Sequence, residues 1–293
     1  MRGHDRHHPL VLFLHGGPGD GQIGNARHYQ AGLEAHAVVV NWDQRGAGLS
    51  QTRRMPAGTM TIAQLLADAH AVITRLLARF GQARLTLVGH SWGSILGMQL
   101  AQRHPELIDG YVGIGQITSI LAGEQAGYDW VLAAATAIRH QQALQELAGI
   151  GRPPHATLQA MSLQGKWVSA FVPAIHHPPP QTRRMSRLAI AGEYTLWDRW
   201  RYRHGGASSM AALWDEVMAV DLPTDIPAVA VPVTFCLGRH DWVTPSVLAD
   251  AYLQTLQAPV KRAVWFEQSA HCAHWEEPDT FLAVLRDRLT APG

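Results

Sequence analysis

Gly89-His90-Ser91-Trp92-Gly93 constrains what this chain can fold into more than any other stretch. It follows Leu85-Thr86-Leu87-Val88, an alternating run of β-formers that predicts a strand. It precedes Ile95-Leu96-Gly97-Met98-Gln99-Leu100-Ala101, whose spacing predicts a helix ending before Pro105. A G-x-S-x-G turn between a strand and a helix reads as a nucleophile elbow. Such a turn strains the serine backbone, and the small residues two positions to either side let neighbouring chain segments pass. The hydroxyl is lifted clear of the sheet, and the amide of Trp92 points into the same space. Five residues alone can match by chance in a chain with 27 glycines. The flanking strand and helix give the match its meaning.

The rest of the chain repeats the same alternation. Leu10–Leu14, Ala37–Val40 and Leu107–Ile114 are further apolar runs, and Thr61 to Phe80 has helical spacing with Gly81 as its stop. Runs apolar on both faces and alternating with helices predict an α/β fold, a mostly parallel sheet flanked by helices. The rhythm changes at 116–227, where helical stretches such as Tyr128–Leu147, Ala156–Val172, Arg187–Arg203 and Ser208–Val220 replace the strands. Val231–Leu237, Ser246–Leu256, Val260–Phe266 and Asp279–Leu289 then restore it. The expected organisation is a core of residues 1–115 and 228–293 with a helical cap, 116–227, inserted into it.

A length of 293 residues suits a large domain, with 47% hydrophobic and 16% charged residues. Twenty-four basic residues against 23 acidic ones leave a net charge of +1, which argues against a nucleic-acid or anionic-membrane partner. Cys236 and Cys272 give no disulfide framework, and neither sits in an elbow. No apolar run reaches membrane-spanning length, so a cytoplasmic location is expected. The glycines after the first strand lack a G-x-G-x-x-G pattern and a Walker lysine, and no cofactor or metal is implied.

A serine hydroxyl needs a base, and the base an orienting carboxylate. In an elbow-bearing fold these follow in the order Ser, acid, His, each just after a core strand. Gly238-Arg239-His240-Asp241 nominates Asp241, and Ser269-Ala270-His271 nominates His271. Asp241 also reads as a cap for the turn that follows it. His274 competes with His271, and Asp225, which precedes a strand, competes more weakly with Asp241. The amides of Trp92 and of Gly17, in His15-Gly16-Gly17, are the expected oxyanion donors.

With these pieces placed, the chain resembles the α/β-hydrolases, and among them the proline iminopeptidase-like group. The resemblance rests on His15-Gly16-Gly17-Pro18-Gly19, Asp43-Gln44-Arg45-Gly46-Ala47-Gly48-Leu49-Ser50, Gly89-His90-Ser91-Trp92-Gly93-Ser94, Gly238-Arg239-His240-Asp241, and Ser269-Ala270-His271 with Glu276-Glu277-Pro278. It implies a serine hydrolase acting through an acyl-serine intermediate, with an aminopeptidase as the leading expectation. It also implies that the Asp43–Ser50 loop is structural. Two departures stand out. Only nine residues precede the first strand, where relatives carry a β-hairpin, so about six strands and an uncovered sheet edge are expected, with a homodimer as one way to cover it. The family's Trp-Glu pair, which holds a substrate's free amine, is absent from Trp197-Asp198-Arg199-Trp200-Arg201. Glu193 is the leading substitute, with Glu124 and Glu216 behind it, although each also reads as a surface helix residue. The alternatives are a carboxylesterase or lactonase on small apolar esters, a tailoring acyltransferase or cyclase, and a ligand-binding protein on the same scaffold.

Overall fold

The computed structural model describes residues 1–52, 58–172 and 195–290. Six strands form one sheet: β1 (Leu10–Leu14), β2 (Val38–Trp42), β3 (Leu85–His90), β4 (Ile108–Ile114), β5 (Val233–Gly238) and β6 (Lys261–Phe266), in the order β2-β1-β3-β4-β5-β6. All pairings are parallel. Alternate residues of β1 serve opposite faces, which is why its run is continuously apolar. Leu10, Leu12 and Leu14 join a core with the helices α2 (Ile62–Phe80), α3 (Trp92–Arg103) and α9 (Ser246–Thr255). Val11 and Phe13 face Phe281, Val284 and Leu285 of α10 (Pro278–Thr290).

Local signals fix helix ends where they were expected. Thr61 accepts the Gln64 amide (3.1 Å) at the start of α2, and Gly81 ends it in the left-handed region at φ 66°. The short α1 (Ile23–Tyr29) follows the β1 turn and was not foreseen. At the β2 edge, Arg2 forms an isolated antiparallel bridge with Val39.

Between β4 and β5 the described residues form only helices: α4 (Ile120–Ala137), α5 (Gln141–Ile150), α6 (Leu158–Phe171), α7 (Leu196–Met218) and the short α8 (Leu222–Asp225). Two of these differ from expectation. The predicted Tyr128–Leu147 stretch is broken, because Arg139 turns left-handed (φ 55°) and the His140 side chain accepts the Ala143 amide to start α5. Conversely, α7 runs unbroken through Gly205 and Gly206, anchored by Leu213 and Val217 in the main core. Helices α4, α5 and α6 share a small core of their own around Val131, Leu147 and Trp167. Among the described residues no helix is long and apolar enough to cross a membrane.

The sheet order reverses between β1 and β3, because β2 lies outside β1 and β3 on its other side. Open α/β sheets hold their crevice at the carboxyl ends of strands flanking such a reversal. Leu14 pairs with Gly89, so the residues after β1 and after β3 emerge together there. Gly93 makes this packing possible, since a β-carbon on it would overlap the carbonyl oxygen of Leu14 and lie 2.7 Å from that of His15. Gly93→Ala is therefore expected to lower stability by about 1–3 kcal/mol, read as a shift in the urea midpoint at unchanged slope.

Candidate active site

Ser91 sits at the β3–α3 turn with φ 52° and ψ −122°, a backbone that L-residues rarely adopt. Its amide donates to the Ile114 carbonyl at 2.9 Å, which ties the turn to the end of β4. The preceding His90 is buried, its ring nitrogen lies 3.2 Å from the His271 carbonyl oxygen, and burial pushes its pKa down to about 3.

Asp241 and His271 leave neighbouring strands. Gly238 at the end of β5 pairs with Phe266 at the end of β6, so the loops that follow run side by side. The Asp241 carboxylate is buried and fully engaged. Its Oδ1 accepts the amides of Val243 and Thr244, each at 2.9 Å, while Oδ2 accepts the Thr244 hydroxyl at 2.8 Å and His271 Nδ1 at 2.9 Å. The turn-capping and imidazole-orienting readings of Asp241 therefore both describe this one carboxylate. A carboxylate only accepts, so Nδ1 carries the proton and Nε2 keeps a free lone pair. The Thr244 hydroxyl also lies 3.1 Å from Nδ1, a contact the sequence did not signal.

His271 and Ser91 meet the same short segment. A β-carbon on Gly115 would lie 2.8 Å from both Cε1 and Nδ1 of His271, and the adjoining Ile114 holds the Ser91 amide. Two carboxylates brace the loop that carries His271. Glu276 accepts the Ala270 amide at 2.9 Å, and Glu277 accepts the Ser269 hydroxyl at 2.7 Å. The rival histidine has another part. His274 is buried against His90 and Phe281, and neither of its ring nitrogens reaches a hydrogen-bond partner among the described residues. Asp225, the rival acid, ends α8, where its carbonyl accepts the Gln102 side-chain amide at 3.3 Å. Both cysteines are buried, and burial pushes the Cys236 thiol up to about 12 and that of Cys272 well above its ordinary value.

The turn after β1 lies against the serine. A β-carbon on Gly16 would sit 3.3 Å from that of Ser91. Gly17 follows at φ 123°, where a side chain would press on the amides of Gly19 and Asp20. Trp92 opens α3, so its amide has no carbonyl one turn earlier in the helix to bond. The Asp43–Ser50 loop is held by its own contacts. Asp43 accepts the Leu49 amide at 2.8 Å, and Arg45 forms a bidentate pair with Asp68 of α2 at 2.7 and 2.8 Å.

Of the three glutamates, Glu193 lies outside the described residues. Glu216 accepts the Ile62 amide at 2.9 Å and so caps α2 from α7. Glu124 borders a cavity of about 400 Å³ with Leu158, Met161, Val168, Met210 and Trp242. Burial raises its carboxyl to about 7. It is not bare, since Gln164 donates to its Oε2 at 2.9 Å and is itself bonded to His155 at 2.8 Å. Trp242, next after Asp241, stacks on Trp130 of α4 with ring centroids 5.1 Å apart.

The family model described as alpha/beta hydrolase fold matches residues 9–278. A probable aminopeptidase of Bacillus subtilis (strain 168), YbaC, is 36% identical over 97% of this chain and 90% of its own length. Among solved structures, a proline iminopeptidase from Mycobacterium smegmatis superposes with a TM-score of 0.66 at 23% identity, covering 98% of this chain and 91% of that one. An esterase from Exiguobacterium antarcticum does so with a TM-score of 0.65 at 18% identity, covering 97% and 92%. At these identities the structural likeness speaks for the fold alone.

Asp241→Asn is expected to lower kcat by about 10³- to 10⁴-fold with KM nearly unchanged, because the amide favours the wrong imidazole tautomer. Thr244→Val keeps the Asp241–His271 bond and should cost about tenfold or less. Steady-state kinetics on any ester or amide that is turned over checks both.

Proposed function

The chain belongs to the α/β-hydrolase fold family and is a hydrolase, and we propose that it is an aminopeptidase releasing an apolar N-terminal residue from short peptides. Ser91 Oγ attacks the scissile carbonyl while His271 Nε2 takes its proton. The imidazolium formed is stabilised by Asp241 at Nδ1. The oxyanion lies against the amides of Gly17 and Trp92. Collapse of the tetrahedral species passes the proton from His271 to the leaving amine and leaves acyl-Ser91. Water, deprotonated by His271, then attacks the acyl carbon, and the proton passes from His271 to Ser91 Oγ as the acyl C–O bond breaks and the free amino acid leaves.

Glu124 carries the aminopeptidase reading. An ammonium group needs a counter-charge, and a carboxylate at the edge of a mostly apolar cavity supplies one. The helical segment then acts as a cap, and the wall made by Trp242 and Val243 continues directly from Asp241. A benzene ring fills a cavity of about 150 Å³, so about 400 Å³ admits an aromatic or long aliphatic side chain. The relative named as a probable aminopeptidase supports the same reading. Two buried, unpaired cysteines suit a reducing cytoplasm.

Ser91→Ala should abolish turnover of aminoacyl amides and acyl esters alike. Glu124→Gln should lower kcat/KM for aminoacyl amides by about 10- to 100-fold and leave acyl esters within about twofold. The Glu124 carboxyl, raised to about 7, is mostly neutral below about pH 6, half-charged near pH 7 and mostly charged by about pH 8. The amide-to-ester ratio of kcat/KM should therefore rise from pH 6 to 7.5 and fall above about pH 8 as the substrate amine loses its proton. His271 serves both substrates and drops out of the ratio. A flat ratio, or amides turned over no better after removal of their amine, refutes the assignment of Glu124.

A further inference from the structure

The two proposed oxyanion donors come from different segments, the turn after β1 and the first residue of α3. Gln44 touches both. Its side-chain amide donates to the His15 carbonyl at 3.0 Å, and its side-chain oxygen accepts the Trp92 indole N–H at 3.0 Å. Its own backbone amide donates to His15 Nε2 at 3.0 Å. All three residues are buried, with exposures of 1% for His15, 2% for Gln44 and 1% for Trp92. Each donor meets an acceptor, which fixes the amide orientation of Gln44. It also fixes the tautomer of His15, whose Nδ1 must carry the proton and faces the Gly16 carbonyl at 2.7 Å. Burial pushes the His15 pKa down to about 4, in keeping with a ring that stays neutral and accepting.

We propose that Gln44 is a positioning residue for the oxyanion hole, holding the His15–Gly17 turn and the start of α3 at the spacing at which both backbone amides reach one oxygen. The argument is geometric. His15 is two residues from Gly17, and Trp92 contributes its amide from the residue whose ring Gln44 grips. A hydrogen-bond bracket across the two segments resists the small separation that would leave one amide out of reach. Without Gln44 a buried carbonyl and a buried indole N–H would lose their partner together. The proposal rests on the acyl-serine chemistry and not on the aminopeptidase reading.

The test is Gln44→Met, which keeps length and apolar bulk and removes both side-chain bonds. The readout is the rate of Ser91 phosphonylation by a fluorophosphonate, which develops negative charge on the oxygen in the same hole and needs no substrate amine. Loss of one oxyanion donor costs about 10²- to 10³-fold. Its misplacement should slow the maximal labelling rate by about 10- to 100-fold, with the half-saturating concentration within about threefold. Trp92→Phe, which removes the indole N–H together with part of the buried ring, should slow labelling in the same direction, and with its own urea midpoint beside the rate it carries the test if Gln44→Met fails to fold. Urea midpoints separate positioning from simple support. A variant with a lowered midpoint but wild-type labelling in its folded fraction overturns the proposal, as does an equal loss in rate and half-saturation. Wild-type protein that resists the label overturns the serine mechanism and this assignment together. Failure on aminoacyl amides alone overturns only the aminopeptidase reading.

Discussion

The backbone contact between the end of β1 and the start of α3 governs the rest of the molecule. Because Gly93 has no side chain, α3 can begin directly against the carbonyls of Leu14 and His15. That approach turns the chain sharply at Ser91 and lays the Gly16 turn over it. It also occurs where the strand order reverses, the place where open α/β sheets hold their crevice. The strain at Ser91 is held by strands packed on both faces, whose cores would have to separate before the turn could relax.

The loops that carry Asp241 and His271 are built on a different principle. Their positions come from strand register, and their side chains come from saturation of one carboxylate. Asp241 receives four hydrogen bonds, three of which originate within its own turn. The histidines packed close by add no competing charge, since burial keeps His90 and His274 neutral. The Asp241 carboxylate therefore faces the His271 ring with neutral imidazoles beside it.

Much of this was legible in the residues. The elbow, the order serine, acid, histidine, and the strand ends that present them follow from local patterns with a fixed mechanical meaning. The inner strands of the parallel sheet followed from runs apolar on both faces, whereas the edge strand β6 begins with the exposed Lys261 and Arg262. What was not legible depends on pairing between distant segments. Gln44 looked like part of a structural loop, and only the three-dimensional path of that loop shows its amide spanning His15 and Trp92. Thr244 looked like an ordinary turn residue. Glu193 lies outside the described residues, and the burial of Glu124 beside a cavity is a property of packed helices that no local motif announces. The break at Arg139 and the continuity of α7 through Gly205 and Gly206 show tertiary contacts overriding propensity.

The stack of Trp130 on Trp242 joins a helix of the insert to the residue after Asp241. Two indoles with centroids 5.1 Å apart and planes 12° from parallel couple their electronic transitions. The pair therefore gives α4 and the acid loop one shared optical signature, an exciton couplet in circular dichroism set by the distance and angle between the two rings.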